Sequence, residues 1–136
     1  MNYHWDWQFF FQEADDGLKY YEWIVSGLGW TTAVSLASLV VALLLGSVLG
    51  VLRTPPSRWL VAIGDAYVDV FRNIPLIIQL FLWFFVVPEL VPNSIGIWMK
   101  QDLPYIVTAV VGLGLYTAAR IAEQVKSGIN ALPRGQ

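Results

Sequence analysis

Asp65, Asp69 and Arg72 stand at i, i+4 and i+7, which puts two carboxylates and a guanidinium on one face of a helix. Arg120 and Glu123 are i, i+3 neighbours, close enough to pair across one helical turn. Both sets sit beside long apolar stretches, and ionisable groups at membrane depth usually face a bundle interior or a water-filled path. They therefore read either as ion pairs that fix helices near the headgroups or as charged steps on a solute pathway. Gln79 is a lone polar residue in an apolar run, and Tyr116 and Thr117 interrupt another. Such groups hydrogen-bond a neighbouring helix or meet a passing solute. Nothing resembles a nucleophile with its base or a phosphate-cradling glycine loop. The absence of Cys and the single His, His4, exclude thiol chemistry, disulfides, iron–sulfur and zinc clusters and any multi-His metal site. No catalytic residue and no metal ligand is assigned, and the chain is read as a non-enzyme.

The elements that must position these residues are apolar helices. Of 136 residues, 57% are hydrophobic and 13% charged, against about 45–50% and about 25% in ordinary soluble domains. The net charge of −2 gives no basic face for nucleic acid. Between Glu22 and Arg53 lie 30 residues without a charge, and about 20 suffice to cross the hydrocarbon core. A first span is expected over 24–52. A second covers 59–90 with a kink at Pro75, or else an interfacial helix over 59–72 precedes a span starting near Asn73; Asp65 and Asp69 leave that choice open. A third is expected over 103–125. The fold class is an all-α integral membrane protein with three transmembrane helices.

Orientation follows from the basic residues. With the first span ending inside, Arg53, Arg58, Arg72, Arg120, Lys126 and Arg134 fall on the cytoplasmic side, leaving Lys19 and Lys100 outside. That distribution satisfies the positive-inside tendency. The tail 1–22 is then external. It lacks the basic start of a signal peptide, and Trp5, Trp7, Phe9, Phe10, Phe11, Tyr20, Tyr21 and Trp23 suit the membrane interface. Pro55-Pro56 marks a tight turn, and Pro88, Pro92, Asn93 and Gly96 punctuate an outer loop over 89–102. Ala42, Gly46 and Gly50 recur every four residues, as do Gly114, Ala118 and Ala122. These small-residue stripes allow helices to approach closely.

The end of the chain, Ala-Glu-Gln-Val-Lys-Ser-Gly-Ile-Asn-Ala-Leu-Pro-Arg-Gly-Gln over 122–136, reads as a helix that stops near Gly128. Together with Phe71-Arg72-Asn73-Ile74-Pro75-Leu76-Ile77-Ile78-Gln79, it resembles the permease subunit of bacterial ABC importers for polar amino acids. The glutamate/aspartate importers are the most similar. Gly50-Val51-Leu52-Arg53-Thr54-Pro55, Val87-Pro88-Glu89-Leu90 and Leu115-Tyr116-Thr117-Ala118-Ala119-Arg120 match as well.

This resemblance implies a type I ABC importer permease fold with five spans when complete, of which 23–136 would be the N-terminal part. It implies a multi-pass protein of the bacterial inner membrane with a periplasmic N-terminus. Its partners would be ABC ATPase subunits, a second permease subunit in a homo- or heterodimer, a periplasmic amino-acid-binding protein and membrane lipid. It implies no cofactor in this chain, since the partner subunits bind ATP. Segment 126–136 would begin the cytoplasmic coupling loop, with Lys126, Gly128, Pro133, Arg134, Gly135 and Gln136 on the ATPase side. Where much of the family has Ala-Tyr-x-x-Glu, this chain has Ala119-Arg120-Ile121-Ala122-Glu123. Arg120 is thus a candidate ligand for an acidic amino acid, with Glu123, Arg72 and Gln79 as further pathway candidates. The competing readings are a small three-span accessory membrane protein and a fragment of a secondary transporter, the latter suggested by the break at Pro75.

Overall fold

Strongly apolar sequence with no internal proline, and no charge after Glu22, folds into one long helix: α1 runs from Tyr20 to Leu52. The computed structural model describes residues 6–14, 17–54 and 57–132. Beyond α1 the order is α2 (Arg58–Asn73), α3 (Leu76–Phe81), a π-helical turn (Leu82–Val86), α4 (Val87–Leu90), α5 (Asn93–Gln101) and α6 (Tyr105–Asn130). No strand occurs among the described residues. The Pro55-Pro56 turn lies outside them.

Among the described residues, two helices are long and apolar enough to cross a membrane: α1 with 33 residues and α6 with 26. At 1.5 Å per residue they measure about 50 Å and about 39 Å, beyond the roughly 30 Å hydrocarbon core. The pair α2 and 76–90 counts as a third crossing only if its two arms are taken as one span. The chain is thus an all-α membrane protein.

Contacts divide it into two compact units, one ending at Ala33 and one beginning at Val34, with α1 running through both. In the first, Asp6 caps a 3-10 turn over Trp7–Phe11 by accepting from the Gln8 N–H at 2.8 Å. The chain reverses through Gly17, whose φ of 80° suits glycine. An isolated antiparallel bridge joins Glu13 and Lys19. Glu22 then accepts from the Lys19 N–H at 2.8 Å, covering a donor that the start of α1 would otherwise orphan. Phe9 stacks on Tyr20 with centroids 4.3 Å apart.

In the second unit the small-residue stripes meet. Ala42, Ala118, Ala119 and Ala122 are fully buried. A β-carbon on Gly46 would come within 2.7 Å of Ile121 Cβ and 2.8 Å of the Ala118 carbonyl. One on Gly50 would reach 2.6 Å from Val125 Cβ, and one on Gly114 2.8 Å from Val41 Cγ1. Backbones this close are the physical reason for a four-residue small repeat. Large apolar side chains such as Leu36, Leu39, Val40, Leu43 and Leu44 point outward instead.

Pro75 ends α2, and the following arm departs at 102°. Its two neighbouring carbonyls do not stay orphaned. Gln79 Nε2 donates to the Phe71 carbonyl at 2.6 Å and to that of Ile74 at 2.8 Å. Tyr67 stacks on Phe71 and donates its hydroxyl to the Leu115 carbonyl at 2.8 Å, tying α2 to α6. Further on, Pro88 lacks the N–H that would bond the Phe84 carbonyl, and the preceding turn widens into the π-helical stretch.

The expected outer loop is largely helical. Val91-Pro92 turns the chain, and α5 folds back so closely that a β-carbon on Gly96 would lie 2.2 Å from the Pro88 carbonyl oxygen. Pro92 sits just ahead of the first turn, where its missing N–H costs nothing. An ion pair between Glu89 and Lys100 links the two arms. At the other end, α6 continues through Gly128 to Asn130 rather than stopping at the glycine.

Candidate functional site

The charges gather where α1 ends, beside α2 and α6. Arg53 follows the last residue of α1 and is only 7% exposed. Gly64 makes room for it: a β-carbon there would lie 2.4 Å from Arg53 Cγ. The guanidinium Nε donates to Asp65 Oδ1 of α2 at 2.6 Å, and Nη2 donates to Glu123 Oε1 of α6 at 2.7 Å. Lys126 Nζ shares Asp65 Oδ1 at 3.2 Å. Arg72 Nη1 stands 3.9 Å from Glu123 Oε2, within ion-pair range but too far for a hydrogen bond. Burial disfavours the Arg53 charge, yet its bonds to Asp65 and Glu123 outweigh that, and its pKa lies above the ordinary arginine value.

Arg120 does not pair with Glu123, despite their spacing. It points back one turn, donating to the Tyr116 hydroxyl, with its guanidinium carbon 4.9 Å from the Tyr116 ring centroid. The side chain is exposed. Arg72, Arg120, Glu123 and Gln124 line an open cavity of about 480 Å³.

Of the sequence candidates, Arg72, Arg120 and Glu123 thus share one cavity, and Lys126 joins the same charge network through Asp65. Asp69 is exposed on α2. Gln79 is buried at the proline break, and its donors are committed to backbone carbonyls. Gly128 is exposed near the end of α6, whereas Pro133, Arg134, Gly135 and Gln136 lie outside the described residues. Arg53 and Gln124 were not among the candidates. Arg53 counts in the sequence as one more orienting charge. Its hint is Gly64, the one glycine of α2, directly beside Asp65. Among the described residues no group of three His, Asp or Glu side chains could hold a metal ion.

No family model matches the chain, and no solved structure does. Curated proteins do, and they define its class: the chain is a homologue of the permease subunits of bacterial amino-acid ABC importers. It is 45% identical over 141 residues to the glutamate/aspartate import permease protein GltJ of Escherichia coli (strain K12), covering 100% of this chain and 57% of that protein. Identity is 31% over 114 residues to the glutamate/aspartate import permease protein GltK of Escherichia coli O6:H1, covering 84% of this chain and 50% of the relative. It is 35% over 113 residues to the arginine transport system permease protein ArtQ of Bacillus subtilis (strain 168), covering 83% and 48%. The chain therefore spans about half the length of the curated relatives it matches.

Proposed function

We propose that this chain forms part of the translocation pathway of an ATP-driven importer of acidic and polar amino acids, with glutamate and aspartate as substrates. The observation that carries the reading is the cavity where Arg72 and Arg120 stand beside Glu123 and Gln124. Two guanidinium groups on one open cavity match a side-chain carboxylate, which arginine binds through paired, charge-assisted hydrogen bonds. GltJ and GltK, two of the relatives, are named for glutamate/aspartate import, which supports the same reading, while ArtQ is named for arginine.

In this reading the protein is a multi-pass subunit of the bacterial inner membrane with its N-terminus in the periplasm. A periplasmic binding protein delivers the amino acid. A second permease subunit completes the pathway, and ABC ATPase subunits bind ATP and drive alternating access, so this chain needs no cofactor and performs no catalysis. Lys126, Gly128 and the following residues Pro133, Arg134, Gly135 and Gln136 lead toward the ATPase. Arg120, Arg72 and Glu123 line the substrate's route, while Gln79 keeps the helix break closed.

Uptake of radiolabelled glutamate by the assembled importer tests this. Uptake that requires ATP and survives collapse of the ion gradients supports it. Uptake that follows an ion gradient and ignores ATP contradicts it.

A further inference from the structure

A cavity that receives an acidic solute should not present a free carboxylate, yet Glu123 lines it. The buried Arg53 answers this. It bonds Glu123 Oε1 at 2.7 Å and Asp65 Oδ1 at 2.6 Å. Asp65 is shared with Lys126 at 3.2 Å, so each acid of the cluster has more than one cation beside it. Arg53 and Lys126 bond Asp65, Arg53 and Arg72 stand beside Glu123, and Arg120 adds a further cation to the cavity wall, an excess of positive charge. Arg72 is 61% exposed and only loosely engaged, 3.9 Å from Glu123 Oε2. It needs to break no hydrogen bond with Glu123 to take another carboxylate.

Resting on the acidic-substrate reading above, we infer that Arg53 is a specificity-determining positioning residue. From the buried side it holds and neutralises Glu123, so that Arg72 and Arg120 present a net cationic cavity to an acidic amino acid. Arg53 touches no substrate. It acts through Glu123, and Gly64 is the small residue that lets its stem pass. Without it, Glu123 would keep its full negative charge at the cavity wall, where partial desolvation strengthens like-charge repulsion.

The test is equilibrium binding of radiolabelled L-glutamate and L-glutamine to the purified, assembled permease–ATPase complex, in wild type, Arg53→Met, Glu123→Gln and Arg120→Ala. Removing Arg53 is expected to weaken glutamate binding by about tenfold or more while glutamine binding holds. Glu123→Gln is expected to tighten glutamate binding. Opposite signs are the signature of charge compensation, because a structural ion pair would make both losses harmful. Arg53→Met can fail to assemble, since it leaves buried carboxylates unpaired. Glu123→Gln then decides alone: tighter glutamate binding supports the inference, and weaker or equal binding overturns it. If Arg120→Ala abolishes glutamate binding while Arg53→Met leaves the glutamate-to-glutamine ratio untouched, only this inference falls. Equal glutamate binding by wild type and Arg120→Ala would instead remove the substrate site, and the inference with it.

Discussion

Gly64 faces the stem of Arg53 so closely that a β-carbon on the glycine would lie 2.4 Å from Arg53 Cγ. The atom in the way belongs to the stem and not to the far end of the side chain, so Arg53 would have to shift as a whole. Gly64→Ala is expected to cost about 1–3 kcal/mol by overpacking and to disturb the bonds from Arg53 to Asp65 and Glu123. Reversible denaturation in detergent measures it. A change within about 0.5 kcal/mol would mean that the pocket for Arg53 is looser than this contact requires.

Gly46 gives a second steric prediction. Its absent β-carbon leaves room for Ile121 and for the Ala118 carbonyl, the latter at 2.8 Å. Backbone yields less readily than a side-chain tip. Gly46→Leu should therefore separate α1 from α6 and sharply reduce the amount of folded protein in the membrane. Leu at Gly29, which has nothing within 4 Å, should leave that amount close to wild type. Equal yields for the two variants would contradict close packing along the small-residue stripe.

Gln79 supports the break after Asn73 by donating to two carbonyls. Gln79→Leu keeps similar bulk but removes both donors. Losing a buried hydrogen-bond partner costs about 1–3 kcal/mol, so a drop of that order in unfolding free energy is expected. A neutral effect would show that the break holds without the side-chain amide.

The pair Glu89–Lys100 makes the opposite case. Its side chains are 68% and 45% exposed, and exposed pairs contribute about 0–1 kcal/mol. Lys100→Gln should change stability by less than about 0.5 kcal/mol. A larger loss would assign the turn between α4 and α5 to this ion pair and not to the contact of Gly96 on Pro88.

Much of this arrangement can be read from residue types. Repeats of small residues at 42, 46 and 50 and at 114, 118 and 122 announce faces that pack closely, and they do meet. Pro75 marks the helix break, but the 102° departure depends on how Tyr67, Phe71 and Gln79 pack around it, which no local pattern encodes. Pro88, Pro92 and Gly96 suggest a loop because each is a helix breaker in isolation. In the fold, Pro92 precedes a helix start and Gly96 admits a neighbouring carbonyl, so the same residues permit a helix. The expected partnership of Arg120 with Glu123 fails for a tertiary reason: Arg53, 70 positions away, reaches Glu123 first. Arg120 is left to Tyr116 and the cavity.

The proposed acidic-substrate pathway is tested most directly at Arg120. The decisive measurement is ATP-dependent uptake of radiolabelled glutamate and aspartate by the assembled, reconstituted importer carrying Arg120→Ala, at matched protein in the membrane. Loss of a charge-assisted bond to a carboxylate is expected to lower transport by about tenfold or more, with Arg120→Lys recovering part of it. Unchanged rate and affinity for both amino acids would contradict a role for Arg120 in the pathway.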